Sequence, residues 1–293
     1  NHVPQAKRSD IEREDPHPVY GAYMENKIAA AFQRDDVRDK VIPAYMGLIK
    51  QCDDQLGRLL AHLEESGALQ DTMIVLTSDH GDYLGDHWLG EKDLFHEPSV
   101  KIPMIIYDPR PQADALRGTT CDALVESVDI AATFVEAAGG DVPDHIIEGR
   151  SLLPWLRGQV PEWRDFVISE YDYSVTPQAS KLGIAPRDAR LFMVFDGRFK
   201  LMHSEGGLRP ILFDLQEDPD EFVDLAKGDT HRDEIARLYE MLAKWGRRMS
   251  QRVTKSEQDL LDMRGQSVRR GILPFMFDGS EVPPELTEKY RGP

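Results

Sequence analysis

Cysteine is scarce: the chain of 293 residues carries only two, Cys52 and Cys121. They stand far apart with no Cys-x-x-Cys spacing, which excludes a disulfide framework and a thiolate zinc site as organising principles. Unpaired cysteines fit a reducing compartment, so a cytoplasmic location is the expectation. Long apolar runs are also missing. The longest, at 73–77 and 102–107, are far too short to cross a bilayer, so no membrane span is expected. Positive charge is short as well: Lys plus Arg is 35 against 52 for Asp plus Glu, a net charge of −17. Such a surface repels a polyphosphate backbone and excludes nucleic acid as a general partner. A small anionic ligand remains open, because a metal ion or a few Lys and Arg invert the field locally. No internal repeat and no low-complexity tract occurs, and the chain opens on Asn1 with no charged-then-apolar leader, which reads as a processed or truncated start.

What is present is a globular composition, 41% hydrophobic and 30% charged, with length for one large domain or two ordinary ones. A short helix is expected over 22–32. A long one is expected over 39–65, where Ile42, Tyr45, Met46, Ile49, Cys52, Leu56, Leu59, Leu60 and Leu63 recur at three- and four-residue steps before Gly67. Pro43 falls early in it, and Cys52, on the apolar face, reads as a core residue. The continuous apolar runs 73–77 and 102–107 read as strands covered on both faces, as in a parallel sheet. With a helix over 127–138 that stops at Gly139-Gly140, they give an α/β alternation. Past Pro161, short runs at 166–170, 191–195, 199–203 and 211–214, with an Asp196-Gly197 turn, predict a small antiparallel sheet. A helix over 231–252 follows it. The expected organisation is an α/β core over 1–160, an antiparallel subdomain with its packing helix over 161–254, and an irregular tail over 255–293. In that tail Phe275, Met276 and Phe277 either cover their own core or lie across a neighbouring subunit of a homo-oligomer.

The densest chemistry lies at Ser78-Asp79-His80-Gly81 and in the following stretch to Lys92. A buried strand ending in Asp-His-Gly delivers a carboxylate and an imidazole to the carboxyl edge of a sheet, where α/β proteins bind ligands. Carboxylate, imidazole and a nearby Lys suit a metal ion that polarises an oxyanion, with the Lys neutralising part of its charge. Spacing alone leaves a second reading open, in which Asp79 caps the turn and His80 is a satisfied polar neighbour. His87 fits a loop-ordering or outer partner better than a ligand, and Asp82, Asp86, Glu91 and Asp93 read as loop solvation or outer partners.

Residues 77–92, continuing through Phe95-His96-Glu97-Pro98 to Ile106, resemble the C-terminal signature of the sulfatase family, within the alkaline phosphatase superfamily. Further stretches are similar to that family in the same order: 44–49 and 53–57 to its long helix, 128–133 to the helix after its core strands, and 212–221 to its Asp-Leu-x-x-Asp-Pro-x-Glu turn. The text around 84–89 is most similar to the arylsulfatase and phosphonate monoester hydrolase branch. The resemblance implies an alkaline-phosphatase-like α/β sheet flanked by helices, with the small antiparallel sheet and helix at the C-terminal end. It also implies that Asp79 and His80 are ligands of one divalent metal ion. Lys92 would then contact the sulfate or phosphonate group and the leaving oxygen. Oxygen-rich sites favour Ca²⁺ and an imidazole admits Mn²⁺, Zn²⁺ or Fe²⁺, so Ca²⁺ or Mn²⁺ comes first.

The resemblance also implies residues that this sequence lacks. Sulfatases carry a formylglycine nucleophile made from Cys or Ser in a Cys/Ser-x-Pro-x-Arg motif, and Cys52 (before Asp-Asp-Gln) and Cys121 (before Asp-Ala-Leu) do not fit it. The family's other metal ligands also precede everything matched here, and His17 resembles that neighbourhood only loosely, as a loop residue. The expectation is therefore the C-terminal part of a longer enzyme that hydrolyses a small sulfate or phosphonate ester. Its N-terminal half would supply the nucleophile, and this chain alone would be inactive. The alternatives are a phosphoesterase of the same superfamily with a Thr or Ser nucleophile, and a non-catalytic domain.

Overall fold

A computed structural model describes residues 3–142, 147–247 and 261–264. Near the start lie three short helices, α1 (Asp10–Glu14), α2 (Pro18–Met24) and α3 (Lys27–Phe32), and then the long α4 (Asp35–Glu65). The segment expected as one helix over 22–32 is therefore two, because Asn26 accepts from the amides of Ile28 and Ala29 and starts a new helix there. His17, read as a loop residue, is instead the buried N-cap of α2, with Pro18 at its first position. Helix α4 begins earlier than the spacing indicated, and Pro43 lies well inside it.

Two strands follow, β1 (Ile74–Thr77) and β2 (Met104–Tyr107), separated by a long excursion that holds a 3-10 turn at Asp86–Trp88 and the one-turn helix α5 (Glu97–Val100). They pair antiparallel, Ile74 against Tyr107 and Thr77 against Met104. This corrects the parallel reading of 73–77 and 102–107, and the cause is geometric. A parallel crossover needs a dozen or more residues that run back along the sheet, usually as a helix. Residues 78–103 are long enough, but Tyr83, Leu89, Leu94 and Phe95 fold them onto the C-terminal sheet, and the chain re-enters at the edge it left. Nor are these strands covered on both faces: Leu76 is 41% and Ile105 60% exposed.

The apolar face of α4 is likewise open. Its buried residues are Arg38 and Ile42 alone, while Met46, Ile49, Leu59 and Leu60 face solvent. Cys52, expected in the core, is exposed, as is Cys121. Periodicity correctly marked an apolar stripe, but among the described residues no layer covers it.

After α6 (Asp129–Ala137) and α7 (Leu153–Leu156) comes the antiparallel sheet, in the order β3 (Val167–Asp172), β4 (Arg190–Phe195), β5 (Phe199–Ser204) and β6 (Ile211–Asp214). Helix α8 (Pro177–Lys181) bridges β3 and β4, and α9 (Arg232–Gly246) closes the unit. The expected Asp196-Gly197 turn joins β4 to β5, with Gly197 at φ 95°. Alternation along the strands splits the core in two. Val194, Phe199, Leu201 and Leu212 meet Leu238 of α9. Leu191, Met193, Met202, Ile211 and Phe213 face the other way, onto Tyr20 and Tyr23 of α2 and onto Tyr83, Leu89, Leu94 and Phe95 of the β1–β2 excursion. Each large apolar side chain buried there contributes about 1.5–3 kcal/mol. The C-terminal sheet is thus the platform on which that excursion folds. The tail residues Phe275, Met276 and Phe277 lie outside the described residues. No helix among the described residues is long and apolar enough to cross a membrane.

Candidate functional site

Strand β1 ends at Thr77 and the chain turns at once, with Ser78 Oγ donating to the carbonyl of His80 (2.6 Å) and the His80 amide donating to Asp79 Oδ1 (3.0 Å). Gly81 cannot be replaced without cost, because a Cβ there would stand 1.9 Å from the carbonyl oxygen of Pro98. Its amide donates to the carbonyl of Ser99 (2.8 Å), which seats the turn against α5. His80 Nδ1 lies 2.7 Å from the carbonyl of Gly81, so the proton sits on Nδ1 and the lone pair on Nε2. That lone pair points at Lys92, whose Nζ is 2.8 Å away, while Asp79 Oδ2 is 3.3 Å from the same nitrogen. Burial alone would raise the Asp79 carboxyl, but His80, the local backbone amides and Lys92 together hold it below the ordinary carboxylate range.

The structure therefore brings Asp79, His80 and Lys92 into one cluster, at the wall of an open cleft of about 1670 Å³ that Arg150, Trp163 and Tyr171 also line. The donor set suits a divalent cation: a hard carboxylate oxygen beside an imidazole whose free lone pair already accepts from a cationic group. Two protein ligands do not complete the shell of such an ion. Around Lys92 the carboxyls of Asp82, Glu91 and Asp93 are all raised, chiefly by burial. Asp82 Oδ1 accepts from the Leu84 amide and Asp86 Oδ1 from the Lys7 amide, so both order the loop.

That loop is strained. Leu84, His87, Trp88, Glu91 and Asp93 all have positive φ, between 49° and 94°, a region costly for residues with a Cβ and common around functional sites. Gly85 sits at φ 104°, where a Cβ would stand 2.7 Å from the buried Arg38 side chain. An N-terminal strap holds the distortion in place. The His87 amide donates to the Lys7 carbonyl (2.8 Å), Trp88 Nε1 donates to the Ser9 carbonyl (2.7 Å), and Arg8 and Arg13 each lie 4.5 Å from the Trp88 ring centre.

His87 itself is buried, with Nδ1 2.6 Å from Glu12 Oε1, and it stacks on His96 at 3.8 Å with the rings 4° from parallel. Ligand atoms of Glu12, His87 and His96 lie within 4.8 Å of one another. Stacked rings, however, direct their in-plane lone pairs along parallel planes rather than toward one point. His96 Nδ1 is also engaged by the Tyr83 hydroxyl at 3.0 Å. Burial first, then His87 and Lys200, push His96 well below the ordinary histidine range, so it stays neutral. The trio pins the loop to the strap.

Reading the sequence missed Glu12, His96, Lys200 and the partner role of Glu221. Lys200 carried a usable signal: it occupies an inward position of an apolar strand, between Phe199 and Leu201, where a lone charge requires a buried partner.

A β1 edge presenting this cluster to a cleft, folded onto an antiparallel C-terminal sheet, defines an alkaline-phosphatase-like α/β protein. The comparisons agree. The sulfatase family model matches residues 13–140, and the model described as N-sulphoglucosamine sulphohydrolase, C-terminal, matches 85–248. The chain belongs to the sulfatase family. It is 36% identical over 225 residues to the multifunctional alkaline phosphatase superfamily protein PehA of Trinickia caryophylli, covering 75% of this chain and 42% of that protein. An arylsulfatase of Clostridium perfringens is 31% identical over 201 residues, covering 69% and 39%. The solved phosphonate monoester hydrolase SpPMH from Silicibacter pomeroyi superposes with a TM-score of 0.74 at 30% identity, covering 83% of this chain and 50% of that one. The chain spans less than half the length of these two curated relatives.

Proposed function

We propose that this chain is the metal-binding and leaving-group part of an enzyme that hydrolyses sulfate or phosphonate esters. The observation that carries the reading is the convergence of Asp79, His80 and Lys92, with Nε2 of His80 free of any backbone bond and 2.8 Å from Lys92 Nζ. Asp79 and His80 would hold one divalent ion, Ca²⁺ or Mn²⁺, which when bound withdraws charge from the non-bridging oxygens of the ester. Asp79 supplies anionic oxygen and His80 presents Nε2, its tautomer held by Gly81. Lys92 offers a positive charge where the departing oxygen develops negative charge.

Family membership supports a formylglycine nucleophile. No Cys- or Ser-x-Pro-x-Arg occurs in this sequence, so the nucleophile and the remaining ligands would come from polypeptide outside it. The same polypeptide would cover the apolar faces of α4 and of β1–β2 that are open here. The substrate would be a small ester, in keeping with relatives named arylsulfatase and phosphonate monoester hydrolase. Asp79→Asn in the complete protein tests the reading. Loss of bound metal together with loss of aryl sulfate and phosphonate ester hydrolysis is expected. Full metal content in the variant would contradict the ligand role.

A further inference from the structure

A buried charge cluster, whose Lys200 and Glu97 lie along the wall of the same cleft, ties the C-terminal sheet to the site. Lys200 of β5 is 1% exposed, and its ammonium lies 2.7 Å from Glu97 Oε1 and 2.8 Å from Glu221 Oε1, and donates to the Phe95 carbonyl at 3.2 Å. Glu221 is equally buried and sits at a positive φ of 53°. Its second oxygen accepts from the Glu97 amide at 2.6 Å. One cation thus gathers two carboxylates and a carbonyl from three separate segments. Burying such groups costs several kcal/mol per ion unless each is paired. A methionine or leucine at 200 would fill the same apolar face without that cost, so bulk packing does not explain the cluster.

The segments it gathers are those that set the site. Glu97 opens α5, and α5 carries the Pro98 and Ser99 backbone against which Gly81 is seated, immediately after the Asp79–His80 pair. Phe95 closes the strained stretch that carries Lys92. An unbroken run of contacts therefore leads from Lys200 through Glu97 and Ser99 to Gly81, and from Lys200 through Phe95 toward Lys92.

We propose that Lys200, with Glu221 as its partner, is a positioning residue: it clamps α5 and the end of the Lys92 loop so that Asp79, His80 and Lys92 hold their mutual geometry. The proposal rests on the hydrolase reading of those three residues for its consequence, but the clamp is measurable apart from turnover.

The test uses Lys200→Met in the complete protein, with Mn²⁺ affinity read by electron paramagnetic resonance and backbone amide exchange read by mass spectrometry. If the variant does not fold, Lys200→Met/Glu221→Gln replaces it, since that pair removes the fully buried carboxylate together with the cation, while Glu97 keeps Lys101 at 3.3 Å. A clamp gives a Mn²⁺ affinity about 10-fold or more weaker, with exchange accelerated across 79–101 and little changed in β3 and β6. A purely structural role gives Mn²⁺ affinity within about twofold of wild type in the folded variant and exchange raised evenly, and that result overturns the proposal. Should the wild type take up neither Mn²⁺ nor, by calorimetry, Ca²⁺, the metal-site reading fails, and the exchange comparison alone still decides the clamp.

Discussion

Lys92 Nζ lies 2.8 Å from His80 Nε2, the atom that would ligate a metal ion. Two cations cannot share one lone pair, so metal entry must move the ammonium off the imidazole and toward the ester. Lys92→Met should therefore bind Mn²⁺ at least as tightly as wild type while losing turnover by about 10²–10³-fold, the usual loss for one charge-stabilising donor. Calorimetric titration with Mn²⁺ checks the first part, and weakened binding in the variant would contradict it.

Gly81 is required by its surroundings rather than by its backbone angles. A methyl group there would meet the Pro98 carbonyl at 1.9 Å. Gly81→Ala should destabilise the fold by about 1–3 kcal/mol and weaken metal binding, because relief of the clash shifts the neighbouring Asp79–His80 turn. Urea unfolding together with Mn²⁺ titration measures both effects.

Burial, the largest effect, together with a nearby Arg209 charge pulls His17 from its ordinary 6.5 down to about 4, although Nε2–H donates to the Arg209 carbonyl at 2.8 Å. The folded state therefore prefers the neutral ring. Its contribution is complete above pH 6.5 and declines as the pH falls from there toward 4, where the folded form also takes a proton. The loss amounts to about 3 kcal/mol. His17→Asn keeps an N-cap acceptor for α2 and removes the titration. The difference in unfolding free energy between wild type and variant should narrow between pH 7 and pH 4.5, and a difference independent of pH would contradict the assignment.

Met46, Leu48, Ile49, Leu59 and Leu60 of α4 are 37–60% exposed, as are Leu76 and Ile105 of the two-stranded sheet. So large an apolar area calls for a covering surface. Ile49→Lys with Leu59→Lys should leave the urea midpoint of this chain almost unchanged, yet lower the thermal midpoint of the complete protein. Equal losses in both would mean that the face is already covered within this chain.

The same residues show where the sequence was legible. Strands β4 to β6 were readable because both faces are covered by this chain, so apolar runs and the Asp196-Gly197 turn sufficed. The α4 stripe was read as apolar, and Cys52 on it as a core residue that proves exposed in this chain, since periodicity does not say which polypeptide supplies the cover. Met73 to Thr77 looked like a parallel strand because β-branched apolar runs carry no direction. Direction is set by the 78–103 excursion, which packs onto the C-terminal sheet and returns to the edge it left. Asp79, His80 and Lys92 were legible as a short-range motif. The Glu12–His87–His96 stack and the Lys200–Glu97–Glu221 cluster were not, because their members lie up to 124 positions apart and only the fold joins them.

The role of Lys92 is tested most directly by the dependence of hydrolysis rate on leaving-group acidity, measured for a series of aryl sulfates in the complete protein and in Lys92→Met. If Lys92 stabilises charge on the departing oxygen, the variant loses most with poor leaving groups and least with 4-nitrophenol, and its plot is steeper than that of wild type. A uniform loss across the series, or none, would contradict that role.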